Sequence, residues 1–110
     1  MQKPQLPALT HLQYLVLGVL RPEPQPGRAL RKALSVYGIR RTGPAFYQLM
    51  ARMEKDRLVD GWYEQITVGD QAVTERHYKV TADGNRRWND ARAFYEHVAR
   101  ATTKLRWSDA

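Results

Sequence analysis

A mainly α chain of the α+β class is predicted, with three short helices, a β-hairpin and then one longer helix. Three features of its 110 residues carry that prediction. Residues 41–62 have the pattern of an amphipathic helix that opens on Thr42-Gly43-Pro44 and runs straight into a strand. Residues 75–81 form a return strand after a Gly69-Asp70 turn. The chain also carries 18 Lys and Arg against 11 Asp and Glu, a formal charge of +7. A helix followed by a two-stranded wing in a basic chain is the construction of winged helix-turn-helix DNA readers.

This length gives one domain with a single modest core. At 43% hydrophobic and 26% charged residues, with a mean hydropathy of −0.63, the composition is that of a soluble globular chain. The longest apolar run, Tyr14 to Leu20, falls far below the roughly 20 residues that cross a bilayer. With no cysteine there are no disulfides and no thiolate metal sites. Since no secretory-type leader is recognisable either, a cytoplasmic protein is expected. The pI near 10.1 favours a polyanionic partner through counterion release. Charge alone would equally describe any basic soluble protein, but its placement is informative. Arg28, Arg31, Lys32, Arg40 and Arg41 fall within residues 27–41 with no acidic residue among them. Glu54, Asp56, Asp60 and Glu64 gather at the end of the third helix and on the wing, where phosphate would repel them unless they point away.

Residues 1–8 form a Gln- and Pro-containing arm without periodicity, expected to be mobile. Thr10 is placed to cap a first helix on which Leu12, Leu15, Val16, Val19 and Leu20 have helical spacing, while Tyr14 and Leu17 add apolar surface on the other side. A helix apolar nearly all round in so small a domain predicts cover from a second subunit. Pro22, Pro24 and Pro26 end it and make a linker within the domain, a commoner use of such a stretch than as an SH3-type ligand. The second helix, about residues 27–37, puts Leu30, Ala33, Leu34 and Tyr37 on one stripe and Arg28, Arg31, Lys32 and Ser35 on the other. Gly38 supplies a left-handed cap, and Ile39-Arg40-Arg41 forms the turn.

The third helix is capped by Thr42, with Pro44 tolerated in its first turn. Phe46, Leu49, Met50 and Met53 form its core stripe, the methionines as filler. Opposite lie Ala45, Gln48, Arg52 and Lys55. Small Ala45 allows close approach to base edges, and Gln48 and Arg52 have donor and acceptor groups suited to adenine or guanine. The bland alternatives are a surface pair of Arg52 with Glu54 or Asp56 and a solvated Gln48. Arg40 and Arg41 suit phosphate.

In the wing, Trp62, Glu64 and Ile66 alternate with Tyr63, Gln65 and Thr67. On the return strand Tyr78 and Val80 are expected to face the core, with Arg76, His77 and Lys79 offered outward to a duplex or to solvent. In the last helix Trp88, Ala91, Tyr95, Val98, Thr102 and Leu105 step by threes and fours like a coiled-coil seam, which either joins two subunits or folds the helix back on its own domain. The chain divides into an arm (1–8), a winged helix-turn-helix DNA-binding domain (9–81) and a C-terminal dimerisation helix with its tail (82–110). No enzymatic activity, cofactor or metal is expected. His11, His77 and His97 are widely separated, and no glycine spacing of the phosphate-cradling kind appears.

Tyr47, the triplet Arg52-Met53-Glu54, the pair Leu58-Val59 and the strand Arg76-His77-Tyr78-Lys79-Val80-Thr81 resemble the PadR-like transcriptional regulators. The resemblance extends to the first helix at residues 11–20 and to Gly27, and so covers the chain from about Leu9 onward. Three positions depart from the pattern. Gly43-Pro44 stands for the usual Pro-Gly, Arg57 for a glycine and Arg28 for a tyrosine. The resemblance implies a homodimer and a repressor, and the apolar pattern puts Tyr14 and the last-helix seam between the subunits. Two-fold symmetry then implies a pseudo-palindromic operator on double-stranded DNA. The last helix is too short for a separate effector domain, so a small-molecule effector would have to use the dimer cleft. The alternatives are a protein-interaction winged helix without DNA readout and an RNA-binding winged helix.

Overall fold

A computed structural model describes residues 5–108, with side chains described to residue 102. In chain order its elements are α1 (His11–Leu20), β1 (Gln25–Pro26), α2 (Gly27–Val36), α3 (Gly43–Lys55), β2 (Val59–Val68), β3 (Gln71–Val80) and α4 (Ala82–Ser108). Residues 1–4 of the expected arm and the side chain of Leu105 lie outside the described residues.

Helix α1 starts at a capping box. Thr10 Oγ1 accepts from the Gln13 amide and Gln13 Oε1 accepts from the Thr10 amide, both at 3.0 Å. The prolines after it do more than link. Residues 25 and 26 pair with Tyr78 and His77, so the sheet has three antiparallel strands in the order β1-β3-β2 rather than the two expected. Pro26 sits on the edge, where its missing amide hydrogen costs no ladder bond. Strands β2 and β3 pair without a break from Val59↔Val80 to Val68↔Gln71. Gly69, at φ +64°, takes the first place of the two-residue turn, as a type II′ hairpin requires.

Helices α2 and α3 end in the same way. After α2, Gly38 (φ +82°) donates to the Ser35 carbonyl at 3.0 Å and Ile39 to that of Leu34 at 3.1 Å. After α3, Arg57 (φ +61°) donates to Glu54 at 3.0 Å and Leu58 to Met53 at 2.9 Å. Both are Schellman motifs that satisfy the last carbonyls and turn an apolar residue, Ile39 or Leu58, back onto the core. Arg57 is the only residue other than glycine at positive φ among the described residues.

The core joins Val16, Leu17 and Leu20 of α1, Leu30 and Leu34 of α2, Phe46, Met50 and Met53 of α3, and Leu58, Val59, Tyr78 and Ala91. Two expectations are corrected here. Tyr37 is not on the core stripe: it is the C-cap residue, no longer helical at φ −98°, and stands 64% exposed. Leu17 is fully buried, because the second apolar side of α1 is covered by the chain's own α4 rather than left for a second subunit. Gly18 makes that approach close, since a Cβ there would lie 3.1 Å from Trp88 Nε1. Trp88 stacks on Tyr14 at 5.2 Å, donates to the Tyr14 carbonyl at 3.2 Å and carries the Arg21 guanidinium 3.8 Å over its ring.

Thr81 fixes the start of α4. Its hydroxyl donates to the Arg57 carbonyl at 2.6 Å and accepts from the Gly84 amide at 2.8 Å. From there α4 runs on for 27 residues, about 40 Å at roughly 1.5 Å per residue. The Cα radius of gyration is 17.4 Å, well above the ~13 Å of a compact chain this long. Principal extents of 65 × 28 × 22 Å agree with a projecting helix. Among the described residues no helix is long and apolar enough to cross a membrane.

Candidate nucleic-acid interface

The Schellman turn after α2 and the Thr42 cap set the angle between α2 and α3, and with it the surface that α3 presents. Thr42 Oγ1 accepts from the Ala45 amide at 3.2 Å, and Pro44 fills a first-turn position whose amide would have had no helical partner. Phe46, Met50 and Met53 are fully inside. The opposite ridge is free, with Gln48, Arg52 and Lys55 exposed and Ala45 half-buried at its head. Arg52 makes no pair with Glu54, which is taken by Arg76, nor with Asp56. Arg52 and Lys55 also complement the helix dipole at the C-terminal end of α3.

Arg40, Arg41 and Thr42 are exposed in the turn before this ridge. Arg31 holds the turn, donating from Nη2 to the Arg41 carbonyl at 3.0 Å. Between α2 and the turn opens a cleft of about 360 Å³ rimmed by Arg28, Arg31, Lys32, Arg40 and Arg41. The sequence showed these cations as a run, but did not place Arg31 and Lys32 with the turn in one concavity. Tyr47, singled out only as a family position, stands 46% exposed on α3 beside the ridge.

The wing departs from expectation. Arg76 shares the parity of Tyr78 and Val80, so the two-residue period turns it toward α3 rather than outward. Its Nη2 meets Glu54 Oε1 at 2.5 Å, and its guanidinium lies 4.7 Å over the Tyr63 ring. Desolvation opposes its charge, but the hydrogen bond and charge of Glu54 outweigh that and hold it firmly cationic. Burial pushes the neighbouring Tyr78 hydroxyl up to about 12. Lys79 is exposed, but at the base of the wing opposite Asp60. Further out, Glu64 faces Glu75 across the hairpin, a like-charge pair relieved on each side. His77 Nε2 lies 3.2 Å from Glu64, and Arg28 Nε lies 3.1 Å from Glu75. The second Glu75 oxygen is buried without a partner.

The predicted subunit seam is divided. Ala91 is fully buried within one chain, whereas Trp88 is partly buried, packed on Tyr14 and under Arg21. Tyr95 stays 37% exposed, edge-on to Tyr14 at 5.7 Å. Val98 is half-buried and Thr102 exposed, the latter's hydroxyl donating to the Val98 carbonyl at 2.8 Å. Among the described residues no group of three or more His, Cys, Asp or Glu side chains could hold a metal ion.

Three helices, a three-stranded sheet and an exposed cationic helix beside the wing define a winged helix-turn-helix protein. No family model and no curated protein matches the chain, but solved structures do. A PadR-family transcriptional regulator from Eggerthella lenta is 32% identical over 86% of this chain and 80% of its own, with a TM-score of 0.63. A PadR-family transcription regulator from Clostridium difficile, 14% identical, shares the fold over 87% of this chain and 98% of its own, with a TM-score of 0.71. Bacillus subtilis PadR, solved in complex with operator DNA, is 15% identical and matches 74% of this chain and 46% of its own, with a TM-score of 0.59. The chain belongs to the PadR family of transcriptional regulators, which are not enzymes.

Proposed function

We propose that this protein binds double-stranded DNA sequence-specifically as a homodimer, recognises a pseudo-palindromic operator and represses by obstructing a promoter. The observation that carries the reading is the α3 ridge of Ala45, Gln48, Arg52 and Lys55, solvent-facing on a helix whose other side is locked in the core. An α-helix of this kind fits the major groove, where Gln48 and Arg52 can read base edges while Arg40, Arg41 and Thr42 meet phosphate. The relative solved with operator DNA supports the class of partner. The projecting α4, with Tyr95 and Val98 at its surface, supports the homodimer, which would set two ridges on one face of a duplex. Any small-molecule effector would act at the cleft between the α4 helices.

Selection of bound duplexes from a random pool by the purified protein tests this reading, since an enriched two-fold-symmetric sequence is expected. Arg52→Ala should then weaken binding unequally across sequences, by about 1–3 kcal/mol on the preferred site. No enrichment, or a preference for structured RNA, would overturn the assignment in favour of an interaction module or an RNA binder.

A further inference from the structure

The cationic surface and the wing divide the duplex backbone between them very unequally. Residues 27–58 carry eight Lys or Arg and two carboxylates, whereas residues 64–75, the outer half of the wing, carry Glu64, Asp70 and Glu75 and no cation. The cations at the base of the wing do not compensate, since Arg76 is turned into the molecule onto Glu54 and Lys79 faces Asp60. A wing laid along the phosphate rail would therefore bring Glu64 and Asp70 to a polyanion with no cation in that half of the wing, while Glu75 is largely buried and held by Arg28.

The cleft between α2 and the turn has the opposite character. Its rim holds five cations and no carboxylate, and its floor is apolar, made by Leu34, Ile39 and Phe46. Among the described residues Lys32, Arg40 and Arg41 make no ion pair. Arg31 is pinned over the Phe46 ring at 5.8 Å by its bond to the Arg41 carbonyl. Arg28 is shared with Glu75. Cations at the edge of a low-dielectric concavity concentrate the field on whatever anion enters it. An apolar floor suits a phosphate that brings hydrocarbon with it, as a deoxyribose phosphodiester does.

We propose that this cleft is a backbone-phosphate site distinct from the base-reading ridge, with Lys32 and the pinned Arg31 as binding residues beside Arg40 and Arg41, and that the outer wing makes no phosphate contact. The proposal rests on the DNA-binding reading above. It places the protein's grip on the duplex on the α2 side of the recognition helix, so the wing contributes to position through packing alone.

The test is the salt dependence of duplex binding by the full chain, measured for wild type, Lys32→Ala and Asp70→Asn. Losing one phosphate contact lowers the slope of log K against log salt by about 0.9. Lys32→Ala should show that drop on every sequence, with sequence preference unchanged, and Asp70→Asn should match wild type in slope and affinity. A wild-type slope in Lys32→Ala, or several-fold tighter binding by Asp70→Asn, would overturn the proposal while leaving DNA binding intact. Absence of wild-type duplex binding at low salt would remove the underlying reading as well. Inorganic phosphate added at constant ionic strength should leave duplex affinity unchanged. Displacement of the duplex by it would assign the cleft to a free phosphorylated ligand instead, and so overturn the proposal.

Discussion

Replacing Gly84 by alanine sets two well-understood effects against each other. Gly84 lies in the first turn of α4, and a Cβ built there would stand 2.1 Å from the Leu58 carbonyl oxygen and 3.2 Å from the Leu58 Cα. Ordinary C···O contacts begin near 3.3 Å, so α4 would have to retreat by roughly 1.2 Å from the α3–β2 turn. That retreat would strain the Thr81 hydroxyl, which ties the Arg57 carbonyl at 2.6 Å to the Gly84 amide at 2.8 Å. Overpacking of this kind costs about 1–3 kcal/mol, while alanine in place of helical glycine returns up to about 1 kcal/mol. The expected net loss is about 1–2 kcal/mol, or roughly 5–10 °C in Tm for a chain of this size. Gly43→Ala is the comparison: it is also helical, and beyond its chain neighbours its Cβ would meet Arg31 Nη1 at 3.9 Å. It should lose clearly less than Gly84→Ala, bearing just the local cost of a side chain before Pro44 against the gain in helix propensity. Urea unfolding at 25 °C at one fixed protein concentration separates the two variants. If Gly84→Ala proved as stable as wild type, the close docking of α4 on Leu58 would be wrong.

The matched helix ends give a second pair of variants. Arg57→Gly should stabilise by about 0.5–1 kcal/mol, because glycine relieves a left-handed backbone that costs other residues about 1–2 kcal/mol and returns part of that as entropy, and Gly38→Ala should destabilise by about 1 kcal/mol; denaturant midpoints check both. Tyr78 is held neutral by burial up to about pH 12, against 10.0 for the free side chain. A raised acid contributes stability in full below its unfolded value and loses it as pH rises through the folded one, so stability should fall between pH 10 and 12. Tyr78→Phe should flatten that fall in unfolding curves taken across the same range. Changing Tyr95 and Val98 together to glutamate should convert the proposed dimer to monomer in sedimentation equilibrium and abolish the tight binding expected at the selected duplex. An unchanged mass would refute the proposed subunit contact.

Much of this was legible in residue order, because local rules act on neighbours along the chain. Thr10, Thr42, Gly38 and the Gly69 turn occupy the places that capping and turn chemistry require. The 3.6-residue period of Phe46, Met50 and Met53 fixed which side of α3 faces out before any contact was known. The same logic went wrong where it was applied against its own period, at Arg76, whose parity with Tyr78 already turned it toward α3. The resemblance carried by the Arg52-Met53-Glu54 and Arg76–Thr81 motifs agrees with the family that the solved relative shows.

What the chain order could not contain was how its elements meet. The two-residue strand Gln25–Pro26 has no pattern of its own and exists only because β3 offers an unpaired edge. Whether the seam of α4 faced a partner or its own α1 depended on the closeness that Gly18 and Gly84 permit, and the answer divides the seam, with Ala91 inside and Tyr95 outside. The cleft that gathers Lys32 with Arg40 and Arg41 forms because a Schellman turn folds the end of this run back against α2. Periodicity and capping are properties of adjacent residues, so the sequence alone determined the helices, the hairpin and the exposed ridge. Burial, ion pairing and clefts are properties of residues on separate elements packed together, so only the tertiary structure decided which charges are spent on Glu54 and Glu75 and which remain free for a polyanion.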